Sequence, residues 1–220
     1  MTANAQNTPL FVTGIGTDVG KTLVSAILVQ ALGRDYWKPI QAGDLDQSDT
    51  MRVQNLVIRN DYVAHQEYAR LTKPVSPHLA AAHDGVTISL NDIRLPQSSR
   101  GLVVEGAGGL LVPLNDDVTM IDFVEKIRAE VVIVSRNYLG SINHSLLTFE
   151  VLKQRGIKIA GWIFNGYNKE GEHFIAKKTA TPGLLSLLPE PAVTPEIVQK
   201  YAKALAANPS LPWKADIPDG

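Results

Sequence analysis

The chain has 220 residues, with 21 Lys plus Arg against 22 Asp plus Glu and a formal net charge of -1, so no whole-molecule field draws it toward nucleic acid or acidic membrane. The absence of cysteine excludes disulfides, thiolate metal sites and a cysteine nucleophile. The opening MTANAQNT lacks a basic flank with an apolar run behind it, and no later stretch holds about 18 uninterrupted apolar residues, so the expectation is a soluble, cytoplasmic protein folding as one domain over residues 1–220, without a nucleic-acid or membrane partner.

Along the chain, apolar runs of strand length alternate with helical patterns. LFVT precedes a helix over Lys21–Leu32, YWKPI one over Ser48–Ile58, LVVEG one over Thr119–Ile127, and VVIVS one over Ser141–Leu152; IAGWIFN follows as a last strand. These strands are continuous apolar runs and do not alternate, which is the pattern of strands buried on both faces. The rhythm predicts a single-domain α/β fold, a mostly parallel sheet with helices on both faces. Between Asn60 and Ser99 it weakens into short helical pieces broken by Pro74, Pro77, Gly85 and Pro96, an elaborated connection on the ligand side of the sheet. The stretch from Pro209 to Gly220 reads as an irregular tail whose Trp213 packs back onto the body.

Gly14, Gly20, Lys21 and Thr22 satisfy GxxxxGK[ST], with an apolar strand running in and an amphipathic helix running out. Glycines there let successive backbone N–H groups converge on an anion, and the dipole of the following helix adds positive potential. The motif predicts a P-loop NTPase fold, with Lys21 reaching the β- and γ-phosphates of a nucleoside triphosphate and the Thr22 hydroxyl on magnesium. Glu105 ends the run LVVE at the carboxyl edge of the sheet, where an acid needs a partner. Asp49, in QSDT ahead of a helical pattern, reads equally as a plain N-terminal cap, and Lys38 as a surface lysine at a strand end.

The longer string GIGTDVGKT, followed in order by WKPIQAG, SDT, SPH, VEGAGG, LGSINHS and AGWIFNG, resembles the dethiobiotin synthetase family over most of Phe11 to Gly166. The resemblance implies an ATP-dependent cyclo-ligase of biotin synthesis. In that reaction 7,8-diaminononanoate and carbon dioxide form a carbamate, ATP phosphorylates it, and the second amine displaces phosphate to close a cyclic urea. It further implies that Asp18, Val19, Gly20, Lys21 and Thr22 bind the triphosphate together with Glu105, Gly106, Ala107 and Gly108. Thr22, Asp49 and Glu105 would hold Mg2+, and Lys38 would join Lys21 as a catalytic cation serving the carbamate and the migrating phosphoryl group. Asn165 would read the adenine edge, with Glu196 a second candidate for that pocket. Thr17, Ala42 and the stretch Ser76, Pro77 and His78 fall beside the diamine. Leu139, Gly140, Ser141 and Asn143 open a helix that, in a homodimer, holds the substrate carboxylate of the neighbouring subunit; on the residues alone, Ser141 is an ordinary cap. Asp18 stands where members of the family carry Glu, Ala42 where some have Ser, and Tyr138 where others have Lys; the missing serine contact falls to Gln41 or a water. Tyr167 to Pro182 matches nothing in the family, and His78 receives no catalytic role.

A regulatory ATPase of the partition or division-site type shares this fold but places a lysine early in its loop, as in KGGxGKT, where this chain has Gly16. Amidoligases with a glutaminase domain need a cysteine that this chain lacks.

Overall fold

The structure is a computed structural model and describes residues 8–214 and Ile217. Its centre is β1 (Leu10–Gly14), an entirely buried LFVTG strand that leads into α1 (Lys21–Leu32). Seven strands pair throughout in parallel, in the order β4-β2-β6-β1-β7-β8-β9, with β2 at Asp35–Trp37, β4 at Ala64–His65, β6 at Leu102–Glu105, β7 at Glu130–Arg136, β8 at Ile159–Asn165 and β9 at Gly183–Leu187. Because β1 pairs β6 on one side and β7 on the other, the strand order reverses beside it, and a crevice opens there at the carboxyl ends.

Two apolar layers cover the faces. Val24, Ile27 and Leu28 of α1 pack with Val53 of α2 (Asp49–Leu56) and with Val198, Tyr201 and Leu205 of α7 (Pro195–Ala207). On the other face Phe123 of α4 (Met120–Lys126), Phe149 and Leu152 of α5 (Ser141–Gln154) and Ile175 of α6 (Lys169–Thr179) pack with Phe11, Trp37 and Trp162. Helix starts follow local chemistry. Ser48 accepts from the Met51 N–H, Thr119 and Asp122 form a reciprocal capping box, and Thr194 caps α7 with Pro195 in its first turn.

The predicted α/β fold is present, with three differences. YWKPI is two strands: β2 stops at Trp37, and β3 (Ile40–Ala42) leaves the main sheet to pair with β5 (Ala69–Leu71). Pro39 has no N–H to give a central ladder and biases its predecessor, so the chain turns at Lys38. The helix expected over Ser48–Ile58 is shorter, Asp49–Leu56, because Ser48 is its cap and Val57 is already extended. The Asn60–Ser99 connection carries β4, β5 and one helix, α3 (Pro77–His83), whose leading residues border the crevice. The unmatched stretch from Tyr167 contains α6, begun by Asn168 accepting from Gly171 N–H. Trp213 does pack back: it is buried and its Nε1 donates to Glu130 Oε2 at 3.0 Å. The remainder of the expected tail, positions 215, 216 and 218–220, lies outside the described residues, as do residues 1–7. Among the described residues no helix is long and apolar enough to cross a membrane.

Candidate active site

The phosphate loop is shaped by what cannot fit. A Cβ on Gly14 would lie 2.4 Å from Val19 Cγ2 and 2.7 Å from the Gly16 carbonyl, while Gly20, at φ 99°, caps α1 in a conformation that favours glycine and leaves room for the Asn165 amide. Lys21 folds back over the loop, its Nζ donating to the Gly16 carbonyl at 3.0 Å. Burial, with the nearby Lys38 charge adding to it, lowers its pKa to about 8.

Next to it sits a buried ionic cluster. Thr22 Oγ1 lies 2.9 Å from Glu105 Oε1 and 3.0 Å from Asp49 Oδ1, and Lys38 Nζ lies 2.6 Å from Asp49 Oδ2 and 3.1 Å from Glu105 Oε1. Lys38 is only 4 % exposed, which overturns its reading as a surface lysine: the break at Pro39 lets it turn inward under the crevice. Burial alone would lower its pKa, but Glu105 and Asp49 outweigh that and hold it raised, so it stays an ammonium. Burial likewise opposes ionisation of Asp49, yet Lys38 and the Thr22 hydroxyl pull its pKa below the usual range. Asp49 is not the cap of α2. Ser48 is, and Asp49, one residue on, is free to aim its carboxylate at the cluster while its N–H donates to Gln41 Oε1 at 3.1 Å.

One hydroxyl and two carboxylates meet at this point, the Thr22 oxygen lying within 3.0 Å of both Asp49 Oδ1 and Glu105 Oε1. Hard oxygen donors so gathered at the carboxyl end of the sheet beside a phosphate loop suit a magnesium ion. That fit rests on Thr22, Asp49 and Glu105. Lys38 neutralises the two carboxylates in this state.

The crevice over this cluster has a volume of about 680 Å³. Thr17, Asp18, Gly20, Lys21, Thr22, Lys38, Ala42, Asp49, Glu105, Ala107 and Gly108 all line it, so most of the sequence-predicted residues converge. Gly106 lies behind it, where a Cβ would meet Phe11 Cζ at 2.7 Å, and Val19 packs into the α1 core. Gln41 borders the crevice, where its amide donates one N–H to the Gly43 carbonyl and accepts from the Asp49 N–H, leaving its second N–H for a ligand. Ser76 and Pro77, expected near the diamine, line the outer wall of the crevice, whereas His78 does not; Arg52, Asp44, Pro74 and Val75 complete that wall, and sequence reasoning named none of these four as site residues.

Other predicted residues stay apart. Asn165, at the end of β8, donates from Nδ2 to the Val19 carbonyl at 2.9 Å and so touches the back of the loop. Leu139, Gly140, Ser141 and Asn143 do not line this crevice; their neighbours Asn137, Tyr138 and His144, with Arg136, border a shallower groove on the other side of residues 15–19. Ser141 is not the cap of α5: Gly140 takes that place at φ 98°, and no side chain caps the turn. Leu139 is wholly exposed beside it. Glu196 is exposed in the first turn of α7, its pKa lowered by the Thr194 hydroxyl, and lines neither crevice nor groove.

Comparisons with known proteins give the family and the fold. A family profile described as an AAA domain matches residues 8–197. An ATP-dependent dethiobiotin synthetase of Cytophaga hutchinsonii is 48% identical over 90% of this chain and 97% of its own length. Proteins of the same name from Christiangramia forsetii and Chlamydia pneumoniae are 46% and 40% identical, each over 88% of this chain and over 93% and 87% of their own lengths. Among solved structures, the cell division ATPase MinD of Pyrococcus furiosus superposes with a TM-score of 0.52 at 15% identity, covering 90% of this chain and 98% of that one. A ParA family ATPase of Chlorobium tepidum gives 0.50 at 11% identity over 90% and 99%. These two likenesses speak for the fold alone.

Proposed function

Because this chain belongs to the ATP-dependent dethiobiotin synthetase family, we propose that its crevice closes the cyclic urea of dethiobiotin on 7,8-diaminononanoate through a carbamate and a carbamic-phosphoric anhydride. The chain is an ATP-using ligase that forms C–N bonds in biotin biosynthesis. The observation that carries the mechanistic reading is the buried Lys38, paired to Asp49 and Glu105 within reach of the phosphate loop. A cation so placed stands apart from Lys21 and the loop and faces the same crevice.

The steps follow from what each side chain meets. One substrate amine attacks carbon dioxide, forming an N–C bond and losing a proton, and Thr17 and Ala42 bound the space for that end of the diamine. Ile40, Pro74, Val75 and Val112 offer an apolar wall to its alkyl chain. The carbamate oxygen then attacks the γ-phosphorus of ATP and ADP leaves. Negative charge spreads over the transferred phosphoryl group, and Lys21 and Lys38, fixed in a site shielded from water, stabilise it. The second amine attacks the carbamoyl carbon, loses a proton and expels phosphate. Thr22, Asp49 and Glu105 would hold Mg2+, which when bound supplies charge neutralisation between the β- and γ-phosphates. Asn165 would read the adenine edge, with Glu196 the outer candidate for that pocket.

The substrate carboxylate would be met by Leu139, Gly140, Ser141 and Asn143 of a second subunit. Support comes from their position outside their own crevice, from the uncapped first turn of α5 and from the exposed Leu139 beside it. The working unit is then a homodimer, and its place is the cytoplasm. The partition-type alternative has a fold-level likeness behind it, but this loop carries Gly16 where those ATPases carry lysine. Phosphate release measured with and without 7,8-diaminononanoate and bicarbonate decides between the two. Turnover should rise strongly only when both are present, and equal turnover without the diamine would sink the ligase reading.

A further inference from the structure

We propose that Tyr36 is a positioning residue of this reaction, holding Glu105 so that one carboxylate oxygen is presented to the cation side of the crevice. The inference rests on the assignment of Glu105 to magnesium made above. Tyr36 is the middle residue of β2 and is fully buried, its ring among the residues packed under α1. Its hydroxyl donates to Glu105 Oε2 at 2.9 Å. Glu105 Oε1 is the oxygen within reach of Thr22 Oγ1 and Lys38 Nζ, at 2.9 and 3.1 Å.

The division of labour between the two oxygens is the point. Glu105 is 1 % exposed, and a carboxylate buried so deeply can rotate about its last torsion unless each oxygen has a partner. With Oε2 tied to a phenol rooted in the sheet, Oε1 has one direction left, toward Thr22 and Lys38. The register makes this possible: Tyr36 is opposite Val103 on β6, two residues before Glu105, so the long tyrosine side chain spans the distance along the strand that a shorter residue would leave open. A phenol hydroxyl carries one proton to donate, and here that proton faces Glu105 Oε2. A tyrosine buried for packing alone would serve as well without its hydroxyl, and a phenylalanine would fill the same volume.

The test separates a role toward the cation from a role in packing. ATP binding to the full-length protein is measured by calorimetry in Mg2+ and again in excess EDTA, for wild type, Tyr36→Phe, Glu105→Gln and the double variant, each confirmed folded by its melting curve. Loss of a partner that orients a metal ligand typically weakens metal-dependent binding about 10- to 100-fold. Tyr36→Phe should therefore weaken ATP binding by at least about tenfold in Mg2+ and by less than about threefold in EDTA. In the Glu105→Gln background the same change should cost nothing further in Mg2+. Equal losses in the two media, or a further loss of at least about tenfold in Mg2+ on adding Tyr36→Phe to Glu105→Gln, would overturn the proposal, and this second comparison needs only the Glu105→Gln and double variants to fold. A wild type indifferent to Mg2+ would instead remove the metal assignment on which the inference rests, an outcome distinct from either.

Discussion

Lys38→Ala is the perturbation that discriminates most sharply between chemistry and architecture. In the resting state Lys38 makes two ion pairs, at 2.6 Å to Asp49 and 3.1 Å to Glu105, and a weaker contact at 3.4 Å to the Gly106 carbonyl. Removing one partner of a buried pair typically costs about 3–5 kcal/mol, because the remaining charge is left unpaired. The nucleotide-free variant should therefore melt well below wild type, and Mg2+ with ATP should recover part of that loss by giving the carboxylates a new cation. Catalysis should suffer separately. Loss of a preorganised donor at developing charge costs about 100- to 1,000-fold in turnover, roughly 3 to 4 kcal/mol. ATP affinity in Mg2+ should change by less than about tenfold, roughly 1.4 kcal/mol, since Lys21 and the loop amides still hold the phosphates. Melting curves, nucleotide titration and steady-state phosphate release on this variant read the three effects independently. Near-normal turnover in a destabilised protein would show Lys38 to be a structural counter-ion, and a loss of ATP affinity matching the loss of turnover would make it a nucleotide anchor.

Four further outcomes follow from the sites described. Lys21, with its pKa lowered to about 8 in the free protein, must regain its proton to meet phosphate, so ATP affinity should be flat below about pH 8 and fall above it by up to tenfold per unit; binding heats at pH 9 in buffers of different ionisation enthalpy should show proton uptake, and none would refute the assignment. The linked effect on folding has the opposite slope: between about 8 and 10.5 the unfolded chain keeps the Lys21 proton that the native state has released, so this group adds stability as pH rises through that window, and a Lys21→Met variant should lose that slope in pH-dependent melting. If Lys38 and a divalent ion compete for Asp49 and Glu105, Mn2+ without nucleotide should bind Lys38→Met more tightly than wild type, and Lys38→Arg no more tightly, as read by paramagnetic resonance of the free ion. Mixing an inactive Lys21→Ala protomer with an inactive Asn143→Ala protomer should restore some activity if subunits share sites; confirmed heterodimers without recovery would place the whole site in one chain.

What the sequence disclosed depended on how local the cause was. The phosphate loop was fully legible, because its glycines, lysine and threonine act through contiguous backbone, and Gly14 and Gly20 sit where a Cβ has no room. The strands at Leu10, Leu102, Glu130 and Ile159 were legible as apolar runs. Lys38 was not legible as a buried group. Its partners lie 11 and 67 residues away, and only the parting of β2 and β3 at Pro39 turns it inward. Asp49 was ambiguous for a similar reason: Ser48 and Asp49 are both good caps, and the choice between them is made by the long-range pull of Lys38 and Thr22. Tyr36 was silent because a tyrosine in an apolar strand looks like packing until the partner of its hydroxyl is known. The helices after Asn165 went unread because α6 carries charge around most of its face, with Ile175 among its few buried positions.

The cluster also explains why two lysines can be buried side by side without wrecking the fold. Lys21 and Lys38 bring two positive charges, Asp49 and Glu105 two negative ones, and the four are arranged so that the carboxylates pair with Lys38 while the loop carbonyl of Gly16 engages Lys21. Neither half is tolerable alone, given that an unpaired buried charge costs several kcal/mol. The arrangement is nevertheless uneven: Lys38 pairs with both carboxylates and its pKa is raised, whereas Lys21 donates to the neutral Gly16 carbonyl and its pKa is lowered to about 8 by burial and by Lys38, against the pull of Glu105, Asp49 and Asp18. If Thr22, Asp49 and Glu105 hold Mg2+, its charge would compete with Lys38 for the two carboxylates and leave that ammonium for the phosphoryl group. Lys21 and Lys38 would then both meet the transferred charge, Lys21 from the loop and Lys38 from the carboxylate cluster.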